Sequence, residues 1–192
     1  MPEKNQPALD FLASRRSHSP KVLTAPVPSR EELETLLALA ARSPDHGALV
    51  PWRFIVIEKP AMARLADLAE TRGRALGKPD EDVAKGRGQF DRGTLAVVVV
   101  EHPVPAAKVP PREQTLSSGA VCLSLVNAAL AAGWGAGWVT GWVSFDRGFV
   151  EEGLGLGAEE QVSGIVHIGT SSTAPTERPR PDVAGITTWL SA

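Results

Sequence analysis

The chain of 192 residues has no tyrosine and one cysteine, and each shortage closes a class of explanation. Without tyrosine, no phenol is available as a proton donor in a catalytic step. Cys122 alone cannot close an intramolecular disulfide, so nothing argues for an oxidising compartment, and its place in an apolar run reads as a small buried hydrophobe. Positive charge is not in excess: 20 Lys and Arg stand against 22 Asp and Glu, which leaves no overall attraction to nucleic acid or an anionic membrane. Any anion site has to be local. The N-terminal MPEKNQPALDF has no apolar signal core, and the longest apolar stretch, Ala120 to Ala132, is interrupted by Ser124 and Asn127 and is too short to span a bilayer. The cytoplasm is the expected location. There is no G-x-x-x-x-G-K-[ST] and no G-x-S-x-G, so neither a phosphate-binding P-loop nor a nucleophile elbow is expected. His18, His46, His102 and His167 are scattered, and with one cysteine they give no metal-ligand spacing, so no structural zinc is expected.

What is present is a globular composition, 43% apolar and 22% charged, at a length suited to one core. A single domain over residues 1–192 is expected, with 1–6 flexible. Leu9, Leu12 and Ala13 suggest a short helix running into Ser14-Arg15-Arg16-Ser17. Ser29 and Glu32 form a capping box ahead of Leu33, Leu36, Leu37, Ala40 and Ala41, which predicts a helix over 30–42. RFIVIE at 53–58 reads as a strand, 61–76 as a helix, and 79–92 as a charged, weakly helical segment. TLAVVVVE at 94–101 is continuously β-branched, the pattern of a strand covered on both faces. Residues 117–133 are apolar nearly all round, which suits a helix buried in a core or between subunits. Strands at 135–142 and 161–169 flank a short helix at 145–152, and a Pro-rich basic tail follows. The order β–α–α–β–α–β–α–β predicts an α+β or three-layer domain with at least four strands.

Two glycine-rich stretches invite a nucleotide reading and fail on context. Gly133-x-Gly135-x-Gly137 follows a helix and opens a strand, the reverse of a dinucleotide fingerprint, and GLGLG at 153–157 has acidic flanks and no preceding strand. Asp45 and His46 are sequence neighbours whose side chains would not ordinarily face each other, and His167 reads as a face residue of its strand. Arg15-Arg16-Ser17 is a different matter: two guanidinium forks and a hydroxyl in a helix-to-loop turn can enclose a phosphate, or can be a solvated surface pair. Arg178-Pro179-Arg180 is a second basic pair, either a ligand clip or an exposed linker. Together they would make a phosphate cradle if the fold brought them together.

Six motifs in order give the chain a family resemblance. They are RRS at 15–17, A-x-x-P-D-H leading into P-W-R-F-I-V-I (Ala41 to Ile57), E-Q-x-x-S-x-G (Glu113 to Gly119), G-W-G-A-G-W-x-T-G (Gly133 to Gly141), I-V-H-I-G-T (Ile165 to Thr170) and the terminal R-P-R-P. The set resembles the FMN-dependent nitroreductase family, and in particular its small bacterial NAD(P)H nitroreductase members. The resemblance implies a three-layer nitroreductase-like fold with a mixed sheet flanked by helices, and a homodimer with FMN at the subunit interface. By position, Arg15, Arg16 and Ser17 would hold the FMN phosphate and ribityl. Arg42 and His46 would approach the flavin from the partner subunit. Trp138, Val139 and Thr140 would line it, and Arg178 and Arg180 would take the phosphate. Ala128, Ala129, Leu130, Ala131, Ala132 and Gly133 correspond to a nicotinamide-nucleotide contact for NAD(P)H as co-substrate. No side chain is assigned as catalytic, since FMN would carry the chemistry. The sequence departs from the pattern at Val139, where small members often have an arginine, and at Arg112, where the family has a tryptophan. Other flavin chemistry on the same fold, such as flavin destruction or reductive dehalogenation, and a non-catalytic flavin-binding protein are the alternatives.

Overall fold

The run Leu95–Glu101 lies at the centre of the molecule because both of its faces are apolar and both are covered. In the computed structural model, which describes residues 3–191, it is strand β2 of a four-stranded sheet. The other strands are β1 (Trp52–Glu58), β3 (Gly135–Val139) and β4 (Gln161–Gly169), in the order β1-β2-β4-β3. Val97 and Val99 face one core cluster, with Leu33 and Leu36 of helix α2 (Arg30–Ala40) and Val121, Leu125 and Ala129 of the long helix α5 (Pro111–Ala131). Ala96, Val98 and Val100 face the other, with Met62, Leu65 and Ala69 of α3 (Lys59–Ala75), Phe90 of α4 (Asp80–Asp91) and Phe149 of α6 (Arg147–Leu154). Period-two alternation thus divides the strand between two helical layers. Four consecutive valines, Val97 to Val100, have no solvent exposure, and each contributes roughly 1.5 kcal/mol or more of transfer free energy.

The expectation of a mixed sheet is corrected: β1 with β2, β2 with β4 and β3 with β4 all pair antiparallel among the described residues. The physical reason is the number of helices in each connection. The antiparallel pair α3 and α4 returns the chain to the end of the sheet it left, so β2 runs against β1. The single crossover helix α5 does turn β3 parallel to β2, but β4 lies between them and opposes both.

Local signals account for most element ends. The capping box forms as expected, Ser29 Oγ accepting from Glu32 N at 3.3 Å and Glu32 Oε2 accepting from Ser29 N at 2.7 Å. Helix α1 (Gln6–Ser14) begins inside the segment expected to be flexible, because the Asn5 side chain accepts from Ala8 N and Pro7 suits a first helical turn; residues 1 and 2 lie outside the described residues. Helix α5 starts at Pro111, six residues before the apolar run. Its polar first turn carries Gln114, whose amide clamps both backbone groups of Val104 at 2.9 Å. At 21 residues α5 is long and apolar enough to cross a membrane by length and composition, which the interrupted stretch alone did not suggest; half of its most apolar window is buried inside the molecule. Strand β3 stops at Val139 rather than 142, since Trp142 turns into the α4 layer, where its indole Nε1 donates to Asp82 O at 2.8 Å and packs against Gly86.

Candidate functional site

Helix α1 ends at Ser14, and Arg15 leaves it in extended backbone, with φ −58° and ψ 139°. The chain from Arg15 to Ser19 then runs along the outer edge of β3, where His18 N donates to Ala136 O at 2.8 Å. The approach is so close that a Cβ on Gly137 would strike the His18 carbonyl, which is a reason for glycine there. This docking fixes the three basic-clip residues. Arg15 donates to Ser17 Oγ at 3.1 Å, and Arg16 reaches across to the tail, where it donates to Thr176 O at 2.7 Å and pairs with Glu177. Arg180 pairs with the same Glu177 at 3.0 Å. The two basic clips, distant in sequence, therefore share one cavity of about 400 Å³, lined by Arg15, Arg16, Ser17, Trp138, Val139, Arg178 and Arg180 among others.

A second cavity of about 460 Å³ adjoins the first, sharing Ser19, Pro20 and Val139 and adding Lys21, Gln89, Arg92 and Thr140. Along this groove Arg15 Nε, His18 Nδ1 and Gln89 Oε1 are buried without a hydrogen-bond partner among the described residues. Burial also lowers the His18 pKa, so the ring favours its neutral form. Unsatisfied polar atoms along a groove are what a polar ligand would complete, since leaving each one unpaired costs about 1–3 kcal/mol. His18, Lys21, Gln89, Arg92 and Glu177 were not singled out by sequence reasoning. A signal for part of this set was available: Gly86 and Gly88 inside a helix each cost about 1 kcal/mol relative to alanine, so something must approach closely there. In the structure the Trp142 indole lies on Gly86 and the Arg92 guanidinium on Gly88.

Arg42 and His46 line neither cavity. They precede β1, which is the opposite edge strand from β3, three strand spacings or about 14 Å away across the sheet. His46 Nδ1 is 2.6 Å from Glu113 Oε2, Asp45 Oδ2 accepts from Val50 N at 2.7 Å, and Ser117 Oγ, bonded to Pro44 O at 2.7 Å, accepts from Trp52 Nε1. The loop is thereby held in an uncommon backbone, with Gly47, Ala48 and Val50 all at positive φ. Asp45 and His46 do not form a dyad with each other; each has its own partner. The segment Ala128 to Gly133 is the last turn of α5 and the turn after it. Ala129 is buried in the core, Gly133 has φ +85°, and neither cavity is lined by these residues.

Elsewhere the titratable groups are structural. Glu160 receives a two-pronged bond from Arg53, at 2.6 and 2.7 Å, and also meets His102 Nδ1 and the Gly157 amide; the Arg53 guanidinium, above all, pulls its pKa down to about 2. Burial pushes the Cys122 thiol up to about 12, which leaves it unreactive. His167, 1% exposed, alternates with Val166 and Ile168, so it shares the Ile165 face towards α3, α4 and α6; burial lowers its pKa to about 4.

A profile of the nitroreductase family matches residues 12–170, most of the chain. The chain belongs to the nitroreductase family. Among nitroreductase-family relatives, the Escherichia coli K12 protein named "Putative NAD(P)H nitroreductase YdjA" is 32% identical over 184 residues, covering 95% of this chain and 99% of that one. A Haemophilus influenzae protein bearing the same description without the YdjA designation is 36% identical over 164 residues, or 85% and 88% of the two chains. The fold is that of a nitroreductase-like family protein from Bacillus cereus, at TM-score 0.77 and 20% identity over all of both chains. It is also that of a nitroreductase-type protein from Desulfovibrio desulfuricans solved in complex with FMN, at TM-score 0.75 and 18% identity over 98% and 99% of the chains. The nitroreductase match spans the 15–17 clip and the 42–53 loop and stops short of Arg178 and Arg180.

Proposed function

We propose that this nitroreductase-family chain is an FMN-dependent oxidoreductase that passes hydride equivalents from NAD(P)H to an electron-poor acceptor of the nitroaromatic or quinone type. The observation that carries the reading is the meeting of the 15–17 and 178–180 clips on one cavity, with the unsatisfied buried polar atoms Arg15 Nε and His18 Nδ1 in its wall. The relatives named for NAD(P)H and the FMN complex of the Desulfovibrio protein support it. Arg15, Arg16, Ser17, Arg178 and Arg180 would hold the phosphate through charge-assisted hydrogen bonds. Trp138, Val139 and Thr140, with Gln89, line the groove beyond and would meet the ring. When bound, FMN supplies the hydride chemistry at N5 that no side chain provides. The protein's part is to grip the phosphate, orient the ring and exclude water, while Lys21 and Arg92, which line the second cavity with the paired Glu81 and Lys85, would favour the anionic reduced flavin. With no tyrosine, the acceptor's protons come from water or a hydroxyl.

The working form in this reading is a homodimer with FMN at the subunit interface. Two features support it. The Arg42–His46 loop is tied to α5 and lines neither cavity of its own chain, so a role at the flavin would be exerted on the site of a second copy. Apolar side chains also await cover: Leu116 and Leu123 on α5, and in the tail Trp189 at 88% and Leu190 at 96% exposure. The purified protein should be yellow, and NADH or NADPH should bleach it in the absence of air; a colourless protein that refuses FMN overturns the proposal. Mixing an Arg42→Ala/His46→Ala subunit with an Arg15→Ala subunit should restore one intact site per heterodimer, and no recovery would refute the shared site.

A further inference from the structure

We propose that Glu177 is the internal counter-ion of the anion site, a carboxylate that a terminal phosphate must displace, so that it sets which flavins the site retains. This rests on the flavin reading for the identity of the ligand but on the chain's own geometry for the mechanism. A single oxygen, Glu177 Oε1, receives Arg16 Nη1 from the first clip, Arg180 Nη2 from the second at 3.0 Å, and the Arg178 amide at 2.9 Å. The same three residues line the cavity. An acidic side chain, itself outside the cavity lining, therefore engages donors of both arginine clips that an external anion in the cavity would call on. The Arg178 amide bond, and then the two guanidinium cations, hold the Glu177 pKa below the ordinary carboxylate range, so the group is an anion at neutral pH.

The partners differ in freedom. The Arg16 side chain is 13% exposed and keeps a second bond to Thr176 O, whereas the Glu177 side chain is 68% exposed and can turn to solvent with its charge hydrated. Loss of the carboxylate thus leaves the tail attached and frees donors on Arg16, Arg178 and Arg180. A phosphomonoester carries roughly twice the charge of a carboxylate and three acceptor oxygens, enough to replace it. A neutral ribityl hydroxyl is not. Glu177 consequently weakens every ligand that needs these donors and leaves alone any ligand that does not.

The test is titration of apoprotein with FMN and, separately, riboflavin, followed by flavin fluorescence, for wild type and Glu177→Gln. Inorganic phosphate is a third ligand, followed by calorimetry. Removing the competition of two ion pairs made by an exposed carboxylate should tighten FMN by about five- to tenfold and leave riboflavin unchanged. Unchanged FMN affinity overturns the proposal, and weaker FMN binding does so too, since Glu177 would then be propping the arginines in place. Equal tightening of riboflavin also overturns it, because the effect would not lie at the phosphate. If neither protein takes up either flavin while inorganic phosphate still binds more tightly to Glu177→Gln, the flavin reading falls and the counter-ion stands.

Discussion

His167 offers the sharpest physical test of the fold, because one substitution should remove a whole phase of acid sensitivity. The ring is 1% exposed on β4, and neither nitrogen has a hydrogen-bond partner among the described residues. Burial therefore disfavours the imidazolium, and the pKa falls from the ordinary 6.5 to about 4. Because the folded value lies below the unfolded one, the unfolded chain binds the extra proton first. Stability is full above pH 6.5 and is lost as pH falls towards 4. At about 1.36 kcal/mol per pH unit the whole effect is roughly 3 kcal/mol, of which about 1.4 kcal/mol has gone by pH 5.5 and about 2.5 kcal/mol by pH 4.5. That is a large share of a typical domain's stability. Urea unfolding of wild type and His167→Leu at pH 7.5, 5.5 and 4.5 isolates the group. The leucine protein should match or exceed wild type at pH 7.5, since two unpaired ring nitrogens disappear, and should lack the decline down to pH 4.5. An identical decline in both proteins, or an NMR titration of the His167 ring near 6.5 in the folded state, would refute the reasoning.

Two further outcomes are expected. Gly137→Ala places a Cβ against the His18 carbonyl and should lift the Arg15–Ser19 segment from β3, which weakens FMN binding by more than about tenfold while circular dichroism and the thermal midpoint change little; retained FMN affinity would detach the clip from this strand. Glu160→Gln leaves Arg53 and His102 without their carboxylate and should cost about 2 kcal/mol, a figure discounted because Arg53 is 38% exposed. The folded Glu160 pKa lies below the ordinary value, so its contribution is present above about pH 4.5 and is lost as pH falls towards 2; Glu160→Gln should flatten that lower phase of acid unfolding and leave the His167 phase intact.

Much of the chain's behaviour was legible one segment at a time. The capping box at Ser29 and Glu32, the doubly covered run at 94–101 and the antiphase position of His167 all follow from spacing over a few residues. Each is decided by contacts within a turn or a pleat. The two basic clips, too, are visible as residues, though periodicity alone left each of them open as a surface pair or a linker. What their neighbours are depends on the chain's path. Only the tertiary structure brought Arg180 and Glu177 to Arg16, put Gln89 and Arg92 of a weakly helical segment beside Val139, and tied the Arg42–His46 loop to α5, outside the lining of either cavity. The direction of the strands belongs to the same category, because it was set by a helical pair between β1 and β2 and by the insertion of β4 between β2 and β3. Local patterns are carried by adjacent residues; pairing across 160 positions depends on which surfaces the core leaves facing each other.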